Sequence, residues 1–415
     1  MIRTPLILVC LLASPAVADT TITVDGGRGP VVVHVPDAYD PSVSLPLVML
    51  LHGYCGTGPG QEAYMQFAQH VDAGNFFYLY PTGLFDSSCN YWNGTPACCA
   101  FVAMPDDSSY LAALIDAVKA ELNVDPLKVH LVGHSNGGFM SYRMACDHAG
   151  TIASIASLAG ATFRNLSSCH ATEPVHVLQI HGTQDTVIDF DGGFINGVPY
   201  PGAQETVDLW ITIDGCSTTA TPGAPLNLVV NLFGDETQVT SFDTGCEPGG
   251  SAELWTIQNG SHSPNLTAGF STHVLDWFDA HPKPAVGTSY CVSSANSTGK
   301  PSRLYAYGSP SVSQGLPLTF VATNVPTGVV GGLLFSSSAT QIPLFDGTLC
   351  VGPSFQLQLP FLISSAGGEV RRTLVVPQTP ALAGLVGRFQ FGFLDPGGGP
   401  AGVNFSDGLA VTLVP

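Results

Sequence analysis

"LVGHSNGGFM" occupies residues 131–140 and sets a serine between glycines directly after an apolar run. That run, "KVHLV" (128–132), has the length and composition of a buried strand. "GGFMSYRMAC" (137–146) has helical spacing, with Phe139, Met140 and Met144 on one side. Ser135 therefore falls on a sharp strand-to-helix turn. Bulky neighbours would clash there, which accounts for glycine at 133 and 137. Gly133-His134-Ser135-Asn136-Gly137 has the G-x-S-x-G pattern of a nucleophile elbow, in which the serine hydroxyl projects from the end of a sheet. The plain alternative is a glycine-rich turn with an incidental serine, and the strand and helix flanks together weigh against it.

The rest of the 415-residue chain bounds what this serine can serve. Residues 1–18 read as a secretory signal, with Arg3, the apolar "PLILVCLLA" and the small-residue end "AVA" in the order such segments use. The apolar part is too short to span a membrane, and no other stretch is long and apolar enough to do so. Cys10 would be lost with the signal. Ten of the 11 cysteines remain, an even number that suggests five disulfides in an exported protein. Net charge is −19, unevenly spread. Residues 19–284 carry six Lys/Arg against 27 Asp/Glu, and residues 285–415 five against four. No basic patch offers itself to nucleic acid or a membrane surface, and a polyanion would be repelled. A neutral substrate is expected, with no cofactor. No CxxC or histidine cluster suggests a metal, and the Asp/Gly-containing segments near Asp346 and Asp395 read as turns.

Residues 19–282 alternate apolar strands ("PVVVHV", "LPLVMLLHG", "NFFYLYP", "VHVLQIHG", "AELWTIQ") with helical stretches ("EAYMQFAQHV", "DSSYLAALIDAVKAELN", "QETVDLWITI", "STHVLDWFDAH"). Such alternation implies an α/β domain, a mostly parallel sheet covered on both faces. "HPKPAVGTS" (281–289) reads as a linker, taken as 283–289. From 290 to 415 the texture changes to short runs such as "LPLTFVATN", "GVVGGLLFSS" and "FQLQLPF". Phe389, Phe391 and Phe393 there alternate as core residues do. An all-β sandwich is expected, separable from the first domain and dispensable for chemistry at Ser135.

A serine hydroxyl needs an imidazole to take its proton and a carboxylate to orient that imidazole. The chain order for this fold is serine, acid, histidine. His262 is the preferred base, because it lies in the loop "NGSHSPN" after a strand, whereas His273 falls inside the last helix. Asp185, four residues past His181 at the end of "VHVLQIHG", is the preferred acid, with Asp189 and Asp191 as competitors. Two N–H groups must face the developing oxyanion. Asn136 supplies one. The turn "LHGYCGTG" (51–58) supplies the other, assigned to Tyr54, with Cys55 as the off-by-one alternative. Trp92 in "YWNGTPACC", and His134 beside the nucleophile, are candidate substrate-binding residues. Trp92 has two readings, a pocket wall or a side chain packed under its loop.

These residues resemble the extracellular polyhydroxybutyrate depolymerase and feruloyl esterase group of α/β-hydrolases. "LHGYCGTG", "YPTG", "YWNGTPACCA", "VHLVGHSNGGFMSYRMAC", "HGTQDTVIDFDGG" and the His262 loop carry the likeness across residues 30–282. It implies an α/β-hydrolase fold with Ser135, Asp185 and His262 as the triad. It also implies a secreted carboxylic-ester hydrolase, acting on a neutral ester that a polymer can carry. Members of that group usually have G-H-x-W-P-G at the histidine, where this chain has "NGSHSPNL". Residues beyond 285 resemble a β-rich module appended to secreted proteins of planctomycetes and related bacteria, through "YCVSSANSTGKPSRLYAYGSPSV" and "NFSDGLAVTLVP". The rival functions are a serine peptidase using the same triad and a non-catalytic binding or adhesion protein. The expected partner is the ester substrate alone, on a monomer.

Position suggests three disulfides. Cys146 ends the nucleophile helix and Cys169 precedes the acid strand. Cys216 and Cys246 bracket an excursion ahead of the histidine, so that their bond would steady its loop. Cys291 and Cys350 pair within the second domain. Cys55, Cys89, Cys98 and Cys99 form two more bonds with three possible connectivities, of which a bond between the neighbours Cys98 and Cys99 is the most strained.

Overall fold

The computed structural model describes residues 20–415; the expected signal at 1–18 lies outside the described residues. In chain order the first domain contains β1 (Thr20–Asp25), β2 (Pro30–Val35), β3 (Leu45–Leu51), α1 (Gly58–Met65), α2 (Val71–Gly74) and β4 (Phe77–Leu79). The small strands β5 (Leu84–Phe85) and β6 (Asn90–Tyr91) follow, then α3 (Asp107–Glu121), β7 (Val124–His134), α4 (Asn136–Asp147), β8 (Ser154–Leu158) and β9 (His176–Gly182). After these come β10 (Gly192–Ile195), β11 (Val198–Pro201), α5 (Ala203–Ile213), β12 (Thr221–Pro222), β13 (Thr237–Phe242), β14 (Ser251–Ile257) and α6 (Phe270–Ala280).

One ten-stranded sheet runs in the order β1-β2-β4-β3-β7-β8-β9-β14-β13-β12. Its middle, from β4 to β14, is parallel, and antiparallel strands close both edges. The continuous apolar strands follow from burial on two faces. In β3, Leu47, Met49 and Leu51 enter one core with Leu111, Leu114, Tyr142 and Trp210 of α3, α4 and α5. Val48 and Leu50 enter the other, with Phe270, Val274 and Phe278 of α6. The helix expected over "EAYMQFAQHV" is broken. Gln66 turns left-handed (φ 60°) and caps α1, and a short 3-10 turn leads into α2.

The second domain packs two antiparallel sheets, as expected. One contains the strands Thr288–Cys291, Gly408–Thr412, Val386–Leu394, Val330–Ser336 and Gln356–Ile363. The other contains Arg303–Gly308, Pro317–Thr323 and Val370–Val375. Phe389, Phe391 and Phe393 lie in the shared core with Leu304, Phe320 and Leu333.

The linker expected at 283–289, between domains that could be cut apart, is a correction. Lys283 is buried, its N–H donates to Leu127 O at 2.9 Å, and its Nζ lies 3.4 Å from Glu173. The Val286 N–H donates to Ala306 O at 2.7 Å. Segment 283–289 is thus seated between the domains, which also share the apolar cluster Leu127, Tyr307 and Val321. Lys119 of α3 lies 2.8 Å from Glu369, and Arg371 joins the same carboxylate at 2.7 Å. Arg371 and Tyr307 both donate to Gly150 O.

All ten described cysteines are paired. Cys146–Cys169, Cys216–Cys246 and Cys291–Cys350 are as expected, whereas the remaining four form Cys55–Cys89 and the neighbour pair Cys98–Cys99. The reason is local docking. The Cys55 N–H donates to Asn90 O at 2.9 Å and Asn90 Nδ2 donates to Gly56 O, which sets Cys55 against Cys89. Cys98 and Cys99 then sit at a turn closed by reciprocal Thr95 and Cys98 backbone bonds, packed against Phe139, Ile188 and Tyr200, and bond each other. Cys216–Cys246 is at the start of β14 and His262 is beyond its end, so this bond does not steady the histidine loop directly.

Candidate active site

Ser135 stands between β7 and α4 at φ 53°, ψ −118°, a conformation that side chains rarely adopt. It is held by its N–H donating to Leu158 O at 2.7 Å and its C=O accepting from the Phe139 N–H. Glycine is required on either side. A Cβ at Gly133 would run into the Gly137 carbonyl, and one at Gly137 into the carbonyls of Leu51 and His52. The second contact presses the start of α4 against the end of β3. The turn after β3 is thereby adjacent to the nucleophile, and a Cβ on Gly53 would lie 3.5 Å from Ser135 Cβ.

Asp185 follows β9 and is buried. Its Oδ2 accepts from His262 Nδ1 at 2.8 Å, and its Oδ1 accepts from the Val187 and Ile188 amides at 2.8 and 2.9 Å. The competing Asp189 and Asp191 are exposed and do not bond His262. Sequence reading missed His181. Its Nδ1 accepts from Gln179 Nε2 (3.0 Å), which leaves the proton on Nε2, 2.8 Å from Ile188 O and 3.2 Å from Asp185 Oδ2. Burial alone would raise the Asp185 carboxyl. The bonds from His181 and His262 reverse this and hold it well below the usual carboxylate range.

The His262 loop is stitched to its surroundings. The Gln184 N–H donates to Gly260 O, the Asn259 N–H to Thr183 Oγ1, and Tyr64 OH of α1 to Pro264 O at 2.7 Å. His134, the residue before the nucleophile, has Nε2 3.0 Å from His262 O, and the two rings are 5.1 Å apart. Burial, then the neighbouring His262, lowers the His134 pKa to about 4. His134 is therefore enclosed and tied to the loop rather than open to a ligand, a correction to its expected substrate-binding role. Trp92 is corrected in the same way. It is fully buried, with Nε1 donating to His52 O at 3.1 Å, so its ring offers no face to a substrate.

Of the two amides weighed in the early turn, Cys55 N–H is taken by Asn90 O, whereas Tyr54 N–H has no partner among the described residues. Exposed apolar side chains border the mouth. Tyr54 and Phe101 have ring centroids 5.5 Å apart, and Val187 follows the acid by two residues. A groove lined by Val229, Leu232, Ser261, Ser263 and Pro264 opens beside His262. Among the described residues, no group of three or more His, Cys, Asp or Glu is placed to hold a metal, and no helix is long and apolar enough to cross a membrane.

Residues 46–189 match the family model described as the alpha/beta hydrolase fold. The chain is 25% identical over 244 residues to feruloyl esterase B of Piromyces equi, covering 56% of this chain and 42% of that protein. It is 29% identical over 169 residues to feruloyl esterase C of Emericella nidulans, covering 39% and 57%. The chain thus spans about half the length of these curated relatives. Among solved structures, acetyl xylan esterase from Aspergillus awamori aligns with TM-score 0.47 and 17% identity, covering 63% of this chain and 99% of that one. Strand order and elbow give the first domain the α/β-hydrolase fold, and its sequence is similar to that of these esterases.

Proposed function

We propose that this protein is a secreted serine carboxylic-ester hydrolase whose triad is Ser135, Asp185 and His262. The observation that carries the reading is the 2.8 Å bond between Asp185 Oδ2 and His262 Nδ1, in a loop tied through His134 to the nucleophile turn. Ser135 Oγ attacks the ester carbonyl carbon as its proton passes to His262 Nε2. The N–H groups of Tyr54 and Asn136 bind the oxyanion of the tetrahedral intermediate. His262 returns the proton to the leaving alkoxide, and the alcohol departs. Water then attacks the acyl-serine, giving its proton to His262, and the acid leaves as Ser135 recovers its hydrogen. Asp185 keeps the imidazole in the reactive tautomer throughout.

The names of the relatives support ester cleavage, and five disulfides support an oxidising compartment. The net charge of −19 and the apolar rim favour a neutral acyl ester, such as a polyhydroxyalkanoate, a feruloylated polysaccharide or a related polyester. The test is turnover of a nitrophenyl ester by Ser135→Ala and His262→Ala. Each is expected to lower kcat by about 10⁴- to 10⁶-fold without loss of fold. Asp185→Asn should lose somewhat less, and Asp189→Asn should be neutral. Full activity in Asp185→Asn with loss in Asp189→Asn would reassign the acid.

A further inference from the structure

The two amides that the proposed mechanism uses come from different elements, Tyr54 from the turn after β3 and Asn136 from the first turn of α4. A third segment bonds both. The Trp92 N–H donates to Asn136 Oδ1 at 2.7 Å, and Asn136 Nδ2 donates to Trp92 O at 2.8 Å. The Trp92 indole donates to His52 O. His52 is itself fully buried. Its Nε2 lies 2.8 Å from the Gly83 amide, which can only donate, so the ring proton is on Nδ1 and is given to Gly53 O at 2.8 Å. The Gly56 N–H donates to the same oxygen at 2.9 Å. The Gly53–Tyr54 peptide is trans, so its C=O and N–H point in opposite directions. Fastening the carbonyl into the turn aims the Tyr54 N–H away from it, where that amide has no partner among the described residues.

We infer that Trp92, His52 and the side chain of Asn136 form a clamp that fixes the separation and direction of the two oxyanion-binding amides. They are positioning residues, and their role rests on the ester-hydrolase reading above. The clamp acts on backbone groups, so it should govern the transition state and leave ground-state binding nearly untouched.

Trp92→Phe removes one indole N–H and keeps an aromatic ring in the core. Trp210→Phe is the matched control. Trp210 is equally buried and loses a similar bond, Nε1 to Thr162 Oγ1 at 3.0 Å, but it bonds no group of the site. On a soluble nitrophenyl ester, Trp92→Phe is expected to lose about 10²-fold in kcat with KM changed less than about twofold. Trp210→Phe should lose thermal stability to a similar degree and keep its kcat. His52→Asn, which retains a donor for Gly53 O, should keep more kcat than His52→Leu, and this pair decides the matter where Trp92→Phe does not accumulate. Wild-type kcat in Trp92→Phe, equal kcat losses in both tryptophan variants, or equal kcat in the two His52 variants overturns the clamp alone. Absence of turnover by the wild-type protein on every ester overturns the hydrolase reading and the clamp with it.

Discussion

Ser135 holds its unusual backbone angles because Gly133 and Gly137 let three segments approach closer than any Cβ would permit. A strained residue of this kind costs about 1–3 kcal/mol, and it persists here because β7, α4 and the end of β3 all constrain it. That constraint is local in sequence, which is why the pentapeptide 133–137 was enough to locate the elbow that carries the proposed nucleophile. His181 and His52 have no such signature. Their roles depend on Gln179, Ile188 and Gly83 being brought to their rings by the fold, and a lone histidine in an apolar strand gives no sign of this. Burial of imidazoles nonetheless has a measurable consequence. His130 is enclosed in β7, stacked on Phe278 at 4.8 Å, and burial foremost lowers its pKa to about 3. The unfolded chain takes up this proton near pH 6.5 and the folded protein only near 3, so between those values the unfolded state binds more protons. This residue's contribution to stability is complete above pH 6.5 and is lost as the pH falls. Its slope is at most about 1.4 kcal/mol per pH unit. His130→Asn should therefore show a shallower fall in thermal midpoint from pH 6.5 to 4 than the wild type, a comparison in which the other titrating groups cancel. Parallel curves would contradict the assignment.

Elements were legible where a period ran its full length. α3 declared itself through Leu111, Leu114, Ile115 and Val118, and the second domain through alternating phenylalanines. The stretch 62–71 has the same apolar spacing yet breaks at Gln66, because the Glu62 carboxylate accepts from the Phe67 and Ala68 amides and so caps the incoming turn. Disulfide connectivity was legible where elements set it and not in the 89–99 segment, whose path depends on docking against the turn after β3. The two kinds of bond should behave differently. Cys216–Cys246 spans 30 residues and lies at the far end of β14 from His262. The double variant Cys216→Ala/Cys246→Ala should lose stability, on the order of 3–4 kcal/mol by loop entropy, and retain kcat in the protein that stays folded. Cys98–Cys99 closes almost no loop, but Cys98 Sγ lies 3.6 Å from Asn136 Nδ2, and the pair packs on Phe139 of the nucleophile helix. Cys98→Ala/Cys99→Ala should lose kcat with a small change in thermal midpoint. The reverse pattern would show that the histidine loop, and not the floor beneath Asn136, is what these bonds support.

In the whole molecule the second domain meets the first at the starts of the parallel strands, through Ser44 before β3, Asn123 before β7, Leu127 on β7, Gly150 before β8 and Glu173 before β9. The proposed catalytic groups lie at the opposite ends of the same strands. From Leu127 to His134 alone is roughly 23 Å of extended chain. A proline-containing segment with a change of texture beyond it reads as a hinge, and nothing in "HPKPAVGTS" reveals that Lys283 is buried against Glu173. Such pairing spans 110 positions and exists only after docking. Glu369 is the centre of another such contact. Burial would raise its carboxyl, but Lys119 and Arg371 hold it down to about 2. Glu369→Ala would leave buried Lys119 without its anion and partly exposed Arg371 without one of its partners, and breaking a buried pair typically costs about 3–5 kcal/mol. The variant should therefore melt earlier and expose its domain junction to protease, while kcat and KM on a soluble ester stay at wild-type values because the pocket faces away from the junction. Cutting before Val286 tests the same geometry more severely. It returns Lys119 to water but uncovers Leu127 and the Gly150 carbonyl, so the first domain alone should aggregate rather than accumulate as an independent module. A changed KM in folded Glu369→Ala protein would mean that the second domain acts on the pocket after all, through the strands that join the two ends.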